Sequence, residues 1–185
     1  MNLNKDMENY YFIQRKSDQA YPLIRITKRD DLVNTTLINL EFNGTIPRNP
    51  VLSDFLSGPE IFITNKIVNI IKNFNPKGVK IINTELTTPK GDLIEDYFCL
   101  ITENIIEALD KEKSDFERPR RSYFIKKLIL DRKILNEIPL EKRLVFMLRE
   151  SLHTVFHEKL AKTIMEVNPT GMEFINIETG GKPLG

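Results

Sequence analysis

The chain has 185 residues, 41% hydrophobic and 29% charged, with 27 Lys and Arg against 26 Asp and Glu for a formal charge of +1. This is the composition of a folded globular protein rather than a disordered one, and the length suits a single domain over residues 1–185. The near-neutral balance argues against a nucleic-acid binder with a strongly basic face and against a polybasic membrane anchor.

The elements follow in chain order. Met1 to Asn9 is polar and lacks the apolar run of a signal peptide. Nowhere does an apolar stretch approach the ~20 residues of a membrane span. The expectation is a soluble cytoplasmic protein with no membrane partner. Residues 10–13 and 21–27 read as strands. Residues 36–42 alternate, with Ile38, Leu40 and Phe42 on one face and Leu37 out of phase. Ser53-Asp54-Phe55-Leu56 reads as a capped turn of helix stopped at Gly58-Pro59. After a short apolar run at 60–63, Thr64 can cap a helix over 65–74. Ile67, Ile70, Ile71 and Phe74 form its apolar stripe. Asn75-Pro76-Lys77-Gly78 ends that helix, since proline cannot continue it and pushes Asn75 out of the α region, while Gly78 can take φ > 0.

Val79, Ile81 and Ile82 open a strand, Thr88 to Asp92 reads as a turn, and 96–102 reads as a strand. Its Cys99 is the only cysteine, so no internal disulfide can form. With no neighbouring base in sequence, it reads as a core residue rather than a nucleophile. Residues 103–109 fit strand or helix, 110–122 read as charged and irregular, 123–130 and 143–149 as strands, and 133–141 as a loop around Pro139.

Two stretches align without a gap, Ile61–Glu85 and Thr154–Glu178, with 8 of 25 positions identical. The identities are Lys66/Lys159, Ile71/Ile164, Asn75/Asn168, Pro76/Pro169, Gly78/Gly171, Ile82/Ile175, Asn83/Asn176 and Glu85/Glu178. Each copy reads as strand, amphipathic helix, Asn-Pro-x-Gly corner and strand. Leu160, Ile164 and Val167 repeat the apolar stripe of the first copy. The expected fold is α/β (α+β): a mixed sheet built from two duplicated strand-helix-strand units, 61–85 and 154–178, with additional antiparallel strands. If the two strands of a copy pair in parallel, the crossover is right-handed.

Little in the chain points to catalysis. His153 and His157 have the i, i+4 spacing of a helical metal pair, but Thr154 stands where a metalloprotease needs Glu. The repeat also places 154–156 in a strand with His157 at a cap. Both read as surface or packing histidines, and neither metal nor cofactor is expected. Gly180-Gly181-Lys182 lies at the chain end with no helix to follow it, so it reads as a tail rather than a phosphate loop. Arg118-Pro119-Arg120-Arg121, beside Phe116 and Tyr123, is the densest basic cluster and suits phosphate or an acidic protein surface. An acidic stretch runs from Asp92 through Glu95 to Asp96.

The order of Asp54-Phe55-Leu56, Ile61–Leu86, Asp96–Leu100, Ala108–Ser114, Lys127–Asp131, Val145–Leu148 and Thr170–Phe174 resembles a family of bacterial polymorphic-toxin immunity proteins, the Imm-eleven type. The resemblance covers about residues 53–178, and the first fifty residues match only loosely. It implies a non-catalytic protein that binds and neutralises a cognate secreted toxin in the producing cell. It supplies no contact residues. The charged stretches are the candidates for toxin binding: Arg118, Arg120 and Arg121, or Asp92 and Glu95. The alternatives are an enzyme with a dispersed His/carboxylate site and a nucleic-acid module using the Arg118–Arg121 loop, although the charge balance speaks against nucleic acid as a partner. The sequence carries no signal for oligomeric state.

Overall fold

Short alternating segments build two sheets in the computed structural model, which describes residues 8–27, 34–57, 60–118 and 122–180. The strands are β1 (Tyr10–Arg15), β2 (Leu23–Ile26), β3 (Leu37–Asn43), β4 (Phe55–Ser57), β5 (Ile61–Thr64), β6 (Val79–Thr87), β7 (Leu93–Ile94), β8 (Tyr97–Thr102), β9 (Ile105–Ile106), β10 (Asp115–Glu117), β11 (Phe124–Lys127), β12 (Val145–Leu148), β13 (His153–His157) and β14 (Met172–Asn176). The helices are α1 (Asn65–Phe74), α2 (Arg132–Glu137), α3 (Leu140–Arg143) and α4 (Glu158–Glu166). The architecture is mixed α+β. A seven-stranded sheet has the order β2-β3-β6-β8-β5-β4 with β7 beside β6, a five-stranded sheet runs β14-β1-β13-β12-β9, and β10 and β11 form a hairpin. Both large sheets are mixed, because β3 pairs β6 and β9 pairs β12 in parallel.

Each strand-helix-strand unit occupies its own sheet, so there are two mixed sheets where the sequence suggested one. Within a unit the two strands do not pair. β8 lies between β5 and β6, antiparallel to both, and β1 lies between β13 and β14 in the same way. The registers coincide. The row Phe62–Cys99–Ile82 of the first sheet is matched by Val155–Phe12–Ile175 in the second, and Ile63–Phe98–Asn83 by Phe156–Tyr11–Asn176. The match extends to the outer strands, where Phe55 faces Ile63 and Val145 faces Phe156. The corners match as well: Asn75 and Asn168 both have φ 48°, and Gly78 and Gly171 have φ 70° and 69°. Proline thus leaves each preceding Asn in the left-handed region, which Asn tolerates better than most residues.

The helices join the sheets. Ile67, Val68 and Ile71 of α1 meet Leu160, Ala161 and Ile164 of α4, with Ile63 and Leu100 from one sheet and Val145 and Phe156 from the other. Each large aliphatic buried here contributes roughly 1.5–3 kcal/mol. Val68 and Ala161 fill the seam, whereas Ile70 and Phe74 are only partly buried and Val167 is 36% exposed, so the stripe is rotated from the one read in sequence. Behind the seven-stranded sheet a second core forms without any helix. Strands β2 and β4 touch, and the sheet curls around Ile24, Leu40, Phe62, Leu86 and Cys99. The outer face of the five-stranded sheet buries Phe12, Phe146 and Val155 beneath Ile125 of the hairpin and Leu135 of α2.

Four local readings are corrected. Residues 53–56 are not a helical turn: Phe55 and Leu56 point to opposite faces of β4 and both are buried, and the Ser53 hydroxyl donates to Phe55 O at 2.7 Å. The Gly58-Pro59 stop lies outside the described residues. The 110–122 segment contains β10, whose pairing with β11 supplies the order that its charges concealed. Residues 133–141 are the ends of α2 and α3. Asp131 caps α2 by accepting from the Lys133 and Ile134 amides, and only Leu135 is buried, too little for a visible period. Thr64 sits at the N-cap of α1 but makes no side-chain cap; its hydroxyl donates to Asp54 instead. Among the described residues no helix is long and apolar enough to cross a membrane.

Candidate functional site

Three places hold the candidate residues, and the first is sealed. His157 ends β13 at the N-cap of α4 with zero exposure. Its Nδ1 accepts from the Lys159 amide at 3.1 Å, so Nε2 carries the ring proton. That nitrogen lies 3.3 Å from Glu8 Oε2, close but not aligned for a hydrogen bond. Burial lowers the His157 pKa, and the Glu8 carboxylate only partly offsets it. Burial would raise Glu8, but Arg143 and His157 hold it below the usual carboxylate range. Arg143 also donates to Tyr10 Oη at 2.7 Å and to Ile138 O at 3.1 Å. Arg132 donates to Glu8 O and to Glu178 Oε1, both at 2.6 Å. This network ties the first strand to α4 and α2. With no route for a substrate to the imidazole, it is structural. His153 stands at the other end of β13, four residues or about 13 Å away, exposed and tilted against Phe12. The two histidines cannot share a metal, and no cluster of metal-ligating side chains forms among the described residues.

The second place is basic. The β10–β11 hairpin and the β12–β13 turn enclose a cleft of about 490 Å³ lined by Arg118, Tyr123, Arg149, Glu150 and Leu152. The Arg118 guanidinium lies over the Tyr123 ring, 4.9 Å from its centroid, and Phe116 backs that ring at 5.6 Å. Arg118 and Arg149 are exposed, and neither has a carboxylate partner among the described residues. Glu150 is buried and accepts from the Leu109 amide at 3.0 Å; Glu107 is paired with Lys111. Arg120 and Arg121 lie outside the described residues.

The third is acidic and on the other sheet. Asp92 closes the β6–β7 turn, its amide donating to Thr88 Oγ1 at 3.1 Å and its carbonyl accepting from the Thr88 amide at 2.8 Å. Glu95 lines a groove of about 340 Å³ with Leu37, Glu85 and Phe98. Arg118 and Glu95 therefore line separate clefts. Arg149, Glu85 and Leu152 carry no sequence signal: they reach these clefts only through strand pairing and a turn. Cys99 is fully buried in β8, its thiol pushed up to about 12 by burial and by Glu60.

The immunity protein family Imm11 matches residues 7–179. The chain belongs to this family. The match includes the first strands, which the sequence resemblance reached only loosely; in the fold β1 is the central strand of the second unit, as integral to it as β8 is to the first. No curated protein matches this immunity protein.

Proposed function

We propose that this immunity protein binds a cognate secreted bacterial toxin in the cytoplasm of the producing cell and neutralises it by occluding its active site or substrate path, without catalysis of its own. The observation that carries the reading is the family match, which runs from β1 to beyond β14. The chain acts as one domain over 1–185, and the matching registers support an internal repeat of 61–85 in 154–178. The fold suits the role: two sheets packed through one helix pair present clefts already formed in the free chain, which limits the ordering cost of association. An enzyme with a dispersed His/carboxylate site could not use His157, whose exposure is zero, and would have to rest on the exposed His153. The test is co-expression with the toxin encoded beside this gene. Protected cells support the reading; cells that die equally with and without the protein contradict it.

A further inference from the structure

Leu152 is 71% exposed and has φ 58°. It sits in the tight turn between β12 and β13, where its amide donates to Leu148 O at 2.8 Å. A left-handed backbone costs an L-residue with a Cβ roughly 1–2 kcal/mol, and glycine would remove that cost. A leucine here gains little from the folded chain, since 71% of its surface stays exposed. Strain retained at an exposed apolar residue points outward, to contact with something else. The surroundings agree. Arg118 is held over Tyr123, Arg149 lies across the same cleft, and both guanidinium groups face solvent without a carboxylate among the described residues. Two acids also line the cleft: Glu107, paired with Lys111 at 3.4 Å, and the buried Glu150, which accepts from the Leu109 amide at one oxygen and has no partner at the other among the described residues. Arginine and tyrosine are also the residues enriched at interface hot spots.

We propose that the toxin seats an acidic segment in this cleft, its carboxylates meeting Arg118 and Arg149 while Leu152 and the Tyr123 ring provide the apolar anchor. This rests on the toxin-binding reading above and adds which face is used. Charge complementarity selects the occupant: two unpaired guanidinium groups favour carboxylates and repel a basic segment. The acidic groove around Glu85 and Glu95 is the rival face.

The experiment is calorimetric titration of the purified protein with the toxin encoded by the neighbouring gene, using wild type, Arg118→Glu/Arg149→Glu, Leu152→Gly and Glu95→Lys. The double charge reversal is expected to weaken binding on the order of 30-fold or more and to flatten its salt dependence. Leu152→Gly is expected to weaken binding while its melting temperature stays the same or rises, which a purely structural leucine would not do. Wild-type affinity in both the double reversal and Leu152→Gly, or loss confined to Glu95→Lys, overturns the assignment of the face while leaving toxin binding standing. No binding by wild type overturns both.

Discussion

Asp54 and Thr170 share three hydrogen bonds, and through them each strand-helix-strand unit grips the other. The Asp54 amide donates to Thr170 Oγ1 at 2.9 Å, while Asp54 Oδ2 accepts from the Thr170 amide at 2.8 Å and its hydroxyl at 3.0 Å. Oδ1 accepts from Thr64 at 2.9 Å. Thr170 lies in the Asn-Pro-x-Gly corner of the second unit, and Asp54 leads into β4 of the first. The equivalent corner residue of the first unit, Lys77, donates its amide to Glu141 O at 2.8 Å, leading into β12 of the second. The corners are exchanged between units.

Asp54→Ala is expected to destabilise by about 2–3 kcal/mol, since charged hydrogen bonds are lost and the Thr170 amide loses its partner. Burial would raise the Asp54 carboxyl, but the Thr170 and Thr64 donors outweigh it and hold it below its ordinary value. A carboxyl lowered by folding adds stability that is full above its unfolded pKa of about 3.9 and is lost as pH falls through its folded value. The gap between wild type and Asp54→Ala in urea titrations should therefore hold at pH 7 and 5 and shrink as pH falls below about 3.9. A gap that persists at acid pH would contradict this.

Gly171→Ala should be worse than Gly78→Ala. Both have positive φ, so each substitution carries roughly 1–2 kcal/mol of backbone strain. A Cβ on Gly171 would stand 2.2 Å from Oγ and 2.4 Å from Cβ of the buried Ser53. On Gly78 it would meet the side-chain end of the half-buried Asn104 at 2.5 Å, which can swing away only by giving up its hydrogen bonds to Lys77 O and Val145 O. The expected losses are about 3–5 kcal/mol and about 2–3 kcal/mol, read from denaturant midpoints. Equal losses would show that the two corners are packed alike.

His157 is expected to titrate below the ordinary histidine range, because burial disfavours its charged form. The unfolded chain then binds a proton at about pH 6.5 that the folded chain refuses. The stability from this group is full above that pH and falls as pH drops from 6.5 toward the folded value. Thermal melts at pH 7.5 and 5.5 should show wild type losing more than His157→Asn, which keeps a cap acceptor without the titration. An imidazole signal in NMR that titrates at or above 6.5 would refute it.

Cys99 is expected to resist iodoacetamide in the folded protein at pH 8 and to react once guanidinium unfolds it. Zero exposure and a thiol pKa near 12 leave neither access nor thiolate. Rapid alkylation of the native protein would show that the seven-stranded sheet opens.

What the sequence disclosed follows the length of each periodic pattern. The alternation of Ile38, Leu40 and Phe42 located β3, the repeating isoleucines located α1, and the Asn-Pro-x-Gly pairs located both corners. β4 was misread because adjacent Phe55 and Leu56 are buried on opposite faces, which removes the alternation. α2 bury one leucine and β10 none, so neither shows a period. The place of β1 between β13 and β14 was invisible, because its pairing partners lie at the far end of the chain. The same reason hid most of the candidate site. Arg118 stood out as part of a basic run, but Arg149 joins it only across the hairpin, and the strain at Leu152 exists only in the backbone.

The most direct test of the central claim is to mix the purified protein with the toxin encoded beside it and measure complex formation together with toxin activity in vitro. A stable complex in which the toxin's activity is lost in proportion to occupancy is the expected result. Full toxin activity in the presence of saturating protein, or no complex at micromolar concentrations, would contradict it.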